Sequence, residues 1–298
     1  MAVSQVLRIT LARRKAEAFL RENGIETLPV DPFAIAASRD IIVEPKPDAA
    51  EGVSGMLLRH GDAFGILYAT HVPSEGFQRF SVAHELGHYF LDGHIDYVLP
   101  KGSLVHTSHA GFVSGDQYEQ EADNFAAGLL MPDGPFKRAL EKYESGISTV
   151  ESMANLCRTS LTATAIRYAE LTDDAVAVVV STGPVIDYCR MSETMKSLRD
   201  LNWLRKGSLV PQNTATIGIN KNPERVARSD RAVEEIDVMD WLGGVRSVKA
   251  LEEVVGLGSY GKTLTVLTCS SIQGRIDEEE DSDDEDTLIE QWTPRFRR

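Results

Sequence analysis

The chain has 298 residues, of which 42% are hydrophobic and 26% charged, a composition that suits ordinary globular packing in a length able to hold two domains. Its formal net charge is −14, but nine of the 45 acidic residues fall in Asp277–Asp286, which leaves 36 against 31 basic residues elsewhere and gives direct nucleic-acid binding no compositional support. No run of about 18 apolar residues predicts a membrane span, Met1–Arg8 lacks the pattern of a signal peptide, and three scattered cysteines (Cys157, Cys189, Cys269) fit a reducing cytoplasm without forming a metal-binding spacing.

In chain order, residues 8–23 carry a helical pattern. Asp31 followed by Pro32 reads as a cap with proline at the first helical position. This predicts a short helix to Ser38, then a strand over Asp40–Glu44. Residues 55–69 predict a hairpin turning near His60-Gly61-Asp62. Pro73 and Ser74 give a start signal and Gly93 a stop, so the intervening residues 75–92 are expected to be helical.

That helix carries His84-Glu85-Leu86-Gly87-His88, the H-E-x-x-H spacing of zinc peptidases. With about 3.6 residues per turn, positions i and i+4 share a face, so both imidazoles can hold one ion. Glu85 stands about 100° round the helix, where it can reach a water on the ion and act as general base. A catalytic site of this kind needs a third protein ligand. His94 lies where the metzincin pattern puts its last histidine, but that pattern needs glycine three after the second histidine, and the residue here is Leu91. His94 therefore reads as a polar residue just past the helix end.

Residues 95–115, rich in Gly, Ser and His, read as a loop rimming a cleft. His106 and His109 are candidates there to stabilise the oxyanion of peptide hydrolysis, although such residues are more often merely exposed. The next helical pattern, Tyr118–Leu130, ends at Met131-Pro132. Glu119 and Asp123 share one flank of it, and Glu121 lies on the other. Glu119 is the preferred third ligand, with Asp123 placed to accept the free N–H of a bound imidazole. The plainer reading of these residues is a solvated acidic edge.

Together these motifs resemble the ImmA/IrrE family of bacterial metallopeptidases. The matching stretches are Arg79–His88 and Glu119–Pro132, with Gly55–Tyr68 and Ser160–Leu171 similar to a strand pair and a closing helix of that family. The resemblance covers about residues 5–172 and implies Glu119 as third ligand. Asp123 stands where asparagine is frequent. It also implies a zincin-like fold, a zinc ion, and cleavage of a helix-turn-helix repressor in a stress or mobile-element response. Manganese and iron accept the same donor set.

Asp133 is expected to cap a helix to Tyr143, and 149–171 to form two helices around Thr159-Ser160 that close the core. Beyond residue 174 the sequence predicts a hairpin (175–181 and 185–190), a helix over Met191–Leu204, and strands at Thr214–Ile219, Val245–Val254 and Thr263–Ser270. The expected architecture is α+β. It comprises a zincin-like domain over 1–173 (helices on a small mixed sheet), a smaller α+β domain over 174–275 for sensing or docking, and an acidic disordered tail over 276–298 with a basic, aromatic end.

The leading expectation is a cytoplasmic zinc endopeptidase with His84, His88 and Glu119 as ligands and Glu85 as base. An alternative is a metal-binding regulator that sequesters a transcription factor without cutting it. A third is a protease held latent by the C-terminal half, which a truncation near residue 173 would release.

Overall fold

The computed structural model describes residues 2–46, 52–109, 115–198, 201–244 and 247–269. The acidic run and the 292–298 end lie outside these described residues. Helix α1 (Ala2–Glu22) leads to α2 (Pro32–Ala37), whose Asp31 cap accepts a hydrogen bond from Phe33 N. Strands β1 (Ile42–Lys46), β2 (Val53–His60) and β3 (Ala63–Ala69) precede the motif helix α3 (Glu75–Phe90). The predicted loop over 95–115 instead contains α4 (His94–Val98) and β4 (Val105–His109). Then come α5 (Gln117–Leu130), α6 (Asp133–Leu140), α7 (Ile147–Cys157) and α8 (Leu161–Leu171).

The first sheet has the order β1-β3-β2-β4. β1 runs parallel to β3, and the other pairs are antiparallel. One face of β2 and β3 packs on α3, and α5 is sandwiched between α3 and α1. Leu57, Ile66, Val82, Leu86, Phe125 and Leu129 form the centre of this core, all fully buried.

The second sheet is antiparallel, in the order β6-β5-β9-β8-β7. Its strands are β5 (Val176–Thr182), β6 (Val185–Met191), β7 (Arg231–Asp237), β8 (Lys249–Gly256) and β9 (Thr263–Cys269). Between β6 and β7 lie α9 (Glu193–Ser197), α10 (Ala215–Asn220) and α11 (Pro223–Ala227), and α12 (Val238–Leu242) follows β7. One face, through Val176, Val178, Val180, Leu264 and Val266, packs on Ile147, Val150, Ala165, Tyr168 and Ala169 of α7 and α8. The two predicted helices around Thr159-Ser160 thus turn their apolar faces inward, as core.

Two expectations in this half are corrected. Thr214–Ile219 is not a strand but the cap and body of α10. The reason is Glu252, buried on β8, whose carboxyl oxygens accept from Ala215 N, Thr216 N and Thr216 Oγ1. The two amides are free backbone donors of a helix N-terminus. The helix expected over Met191–Leu204 is only the short α9, and β7 is a strand with no sequence expectation. Replacing Glu252 by leucine is expected to cost about 1–3 kcal/mol for each buried amide left unpaired. Chemical denaturation would measure this, and an unchanged midpoint would contradict the account of α10.

Candidate metal centre

Helix α3 starts at Ser74, whose Oγ accepts from Phe77 N, with Glu75 in the first turn, where a negative charge suits the helix dipole. Its apolar positions face the first sheet, and this carries the motif into the interior. His88 and Glu85 are 0% exposed and His84 is 5%. One helical turn apart, the two histidines place their Nε2 atoms 3.1 Å from each other.

The other half of the centre comes from α5, capped by Asp116 on Tyr118 N. How closely α5 approaches is set by two small residues. A Cβ on Gly87 would lie 3.0 Å from Ala122 Cα and 3.1 Å from Ala122 O. The helices therefore touch backbone to backbone, one residue before His88 and three after Glu119. Glu119 Oε2 lies 3.2 Å from His84 Nε2, and Glu119 Oε1 lies 3.3 Å from His88 Nε2.

His84, His88 and Glu119 thus converge as a cluster of possible metal donors. Their separations test the fit. Tetrahedral zinc with bonds of about 2.0–2.1 Å needs ligand-to-ligand edges of about 3.3–3.4 Å. The Nε2–Nε2 separation of 3.1 Å, and the 3.2 and 3.3 Å from each nitrogen to its nearer Glu119 oxygen, are close to those edges. The chemistry also fits, because two imidazoles and one carboxylate are the donor set of catalytic zinc sites.

For the protein groups by themselves, the electrostatics show a centre rich in acceptors. Burial pushes the His84 imidazolium down, but hydrogen bonds to Asp123 and Glu119 reverse this and raise its pKa to about 10. Burial pushes Glu119 up, yet the close imidazoles of His106, His84 and His88 hold its carboxyl well below the usual carboxylate range. His88 is pushed down to about 4, chiefly by burial. One positive charge held among these carboxylates is what a cation would replace.

Glu85 stands apart. Both its carboxyl oxygens are buried without a hydrogen-bond partner among the described residues. Burial raises its pKa, and the neighbouring His84 opposes this. Room for the side chain comes from Gly55 on β2, where a Cβ would lie 2.6 Å from Glu85 Oε1. Ser108, paired with Gly55 across β2 and β4, is also buried, and its Oγ has no partner.

The structure gathers His84, Glu85, His88, Glu119 and Asp123. Asp123 Oδ1 lies 2.8 Å from His84 Nδ1. His106 joins them, with Nε2 3.1 Å from Glu119 Oε1, and its donor atoms also cluster with those of Glu85 and His88. His109 does not join. Strand alternation turns Ser108 inward and leaves His109 exposed. His94 is corrected as well. It does lie past the end of α3, but it is more than a polar residue there: it is 0% exposed, against His88 and Glu121. Gly93, at φ 80°, turns the chain left-handed and back under α3. Glu121, on the opposite flank of α5 from Glu119 and Asp123, is buried with it.

Residues 36–168 match the family model of the IrrE N-terminal-like domain, Peptidase_M78. This part of the chain belongs to the ImmA/IrrE family. The matched residues include both helices of the centre, so the triad lies within the ImmA/IrrE domain. Among solved structures, the chain is similar in fold to a Mycobacterium tuberculosis transcriptional regulator. The TM-score is 0.57 and the identity 17%, over 87% of this chain and 76% of that one. Comparison with curated proteins finds no match.

Gly87→Ala tests the geometry of this ImmA/IrrE centre. The added methyl must push α5 away, at a cost of about 1–3 kcal/mol in stability, and zinc affinity should fall with it. Zinc titration of the folded variant is the check, and wild-type affinity would contradict the role given to the helix contact.

Proposed function

We propose that this chain is a zinc-dependent endopeptidase with His84, His88 and Glu119 as ligands and Glu85 as general base. The observation that carries this reading is the donor triad beside the buried Glu85, whose carboxyl oxygens have no hydrogen-bond partner among the described residues. A structural zinc site closes with a fourth protein ligand and has no use for a free base. The donor set suits zinc, while manganese and iron remain chemically acceptable to it.

The ion, when bound, supplies Lewis acidity toward water and a substrate carbonyl. The protein does the rest. A Glu85 carboxylate oxygen takes the proton of the attacking water and returns it to the departing amide nitrogen. Asp123 accepts from His84 Nδ1 and so keeps the lone pair of Nε2 turned into the centre. His106, on the same face of β4 as Ser108, is the histidine placed to donate toward an oxyanion. His109 faces away and is given no part.

The substrate proposed is a helix-turn-helix repressor, as the family resemblance implies, cut in a cytoplasmic stress or mobile-element response. The solved neighbour's name, a transcriptional regulator, supports a place in gene control. Among the described residues no helix is long and apolar enough to cross a membrane.

The test is incubation of the zinc-loaded full chain with its candidate repressor, read by mass spectrometry. One discrete cut is expected. Glu85→Gln should retain zinc and lose cleavage by about 100-fold or more, in line with removal of a general base. His84→Ala should lose both. Cleavage that survives in Glu85→Gln would sink the mechanism, and a stable complex without any cut would favour sequestration instead.

A further inference from the structure

We infer that His94 is a positioning residue for the metal centre, holding His88 from behind while Glu121 and Arg8 hold His94. The inference rests on the proposed reading of His88 as a ligand. His94 and His88 are both 0% exposed, and their Nδ1 atoms are 3.1 Å apart. The other nitrogen of His94, Nε2, lies 3.2 Å from Glu121 Oε2. Glu121 in turn accepts from Arg8 Nε at 2.6 Å and from Gln117 Nε2 at 2.9 Å.

The proton positions follow from what each group can do. The carboxylate of Glu121, paired with Arg8, only accepts, so His94 Nε2 must carry the hydrogen. A neutral imidazole then has its lone pair on Nδ1, which accepts from His88 Nδ1–H. His88 is left with its lone pair on Nε2. That is the atom facing His84 and Glu119. The chain Arg8, Glu121, His94, His88 therefore selects the tautomer that a ligand requires.

The same logic separates His94 from the ligands themselves. Both of its nitrogens are engaged, and it meets His88 on the Nδ1 side, away from the triad. Histidine suits this place because it accepts on one edge and donates on the other. The two ligand imidazoles are thus backed differently: His84 by Asp123 directly, His88 through a second histidine. Tyr118 packs edge-on against His94, with ring centroids 4.9 Å apart, and fixes the plane of the relay ring.

The experiment measures zinc affinity of the full chain by competition with a chromogenic chelator, beside the visible spectrum of the cobalt(II)-loaded protein. His94→Phe keeps a ring of similar size but cannot accept a proton. It should lose about 10–100-fold in zinc affinity, the usual effect of removing an outer partner of a ligand histidine, and shift the cobalt bands. His94→Asn offers a carbonyl oxygen near the Nδ1 position and should recover part of the loss. Glu121→Leu, which removes the far acceptor, should fall in the same direction and carries the test if His94→Phe does not fold. Wild-type affinity and spectrum in folded His94→Phe and Glu121→Leu, even with a lowered melting temperature, would overturn the inference alone. A wild-type chain that binds no zinc would instead overturn the ligand reading on which it rests.

Discussion

The centre depends on how near two helices can come. Gly87 and Ala122 allow α3 and α5 to meet backbone to backbone, and only at that distance can one carboxylate reach two imidazoles. On its other side α5 is held just as closely, since a Cβ on Gly128 would lie 2.7 Å from Arg13 Cγ of α1 and 3.0 Å from Arg13 O. α5 is therefore pinned from both sides by its smallest residues. Helical phase then gives each acidic residue its own direction. Glu119 and Asp123, one turn apart, reach the two edges of the His84 ring, while Glu121 points to α4 and α1.

So many titratable groups out of water carry a large desolvation cost unless they are paired. The pairing here runs in layers. The inner triad faces Asp123, His94 and His106, and His94 in turn meets Glu121, which Arg8 pairs near the surface. Among the described residues of the site, Glu85 keeps both carboxyl oxygens without a hydrogen-bond partner, beside the likewise unpartnered Ser108 Oγ. An unpaired buried carboxyl is costly, and Gly55 gives up its own side chain to make room for it. A cost concentrated on one residue at the hub of the site is what a reacting group, rather than a structural one, imposes.

What the sequence revealed was whatever local spacing decides. The four-residue interval of His84 and His88, the Asp31-Pro32 cap and the hairpin over 55–69 are all local, and the elements stand within a few residues of expectation. What it hid was decided by distant partners. Thr214–Ile219 is rich in β-branched residues and looks like a strand, but a side chain 36 residues on caps it as a helix. β4 reads as loop because its few residues gain their strand form from pairing with β2. Once it is a strand, alternation separates His106 from His109. His94 and Glu121 were missed because burial of either depends on the other, across α4 and α5. A left-handed glycine before His94 was the one local sign.

The two halves of the chain are joined by more than a linker. α7 and α8 belong in sequence to the first half, yet they form one apolar core with the second sheet. Tyr168, 1% exposed, is central to it. A chain ended near residue 173 would leave that face of α8 in water, so such a truncation would change folding before it could report on restraint. The polar side of the junction is different. Glu170 bridges Arg13 of α1, Arg167 of α8 and Arg190 of β6, and Arg13 also donates to Asn124, next to Asp123. The Arg190 side chain is 42% exposed, and a pair that open contributes about 0–1 kcal/mol. Breaking it would separate the second sheet from α1 and α5 electrostatically while leaving the apolar core closed. Any influence of the C-terminal half on the centre is therefore best sought along this ion network in the intact chain.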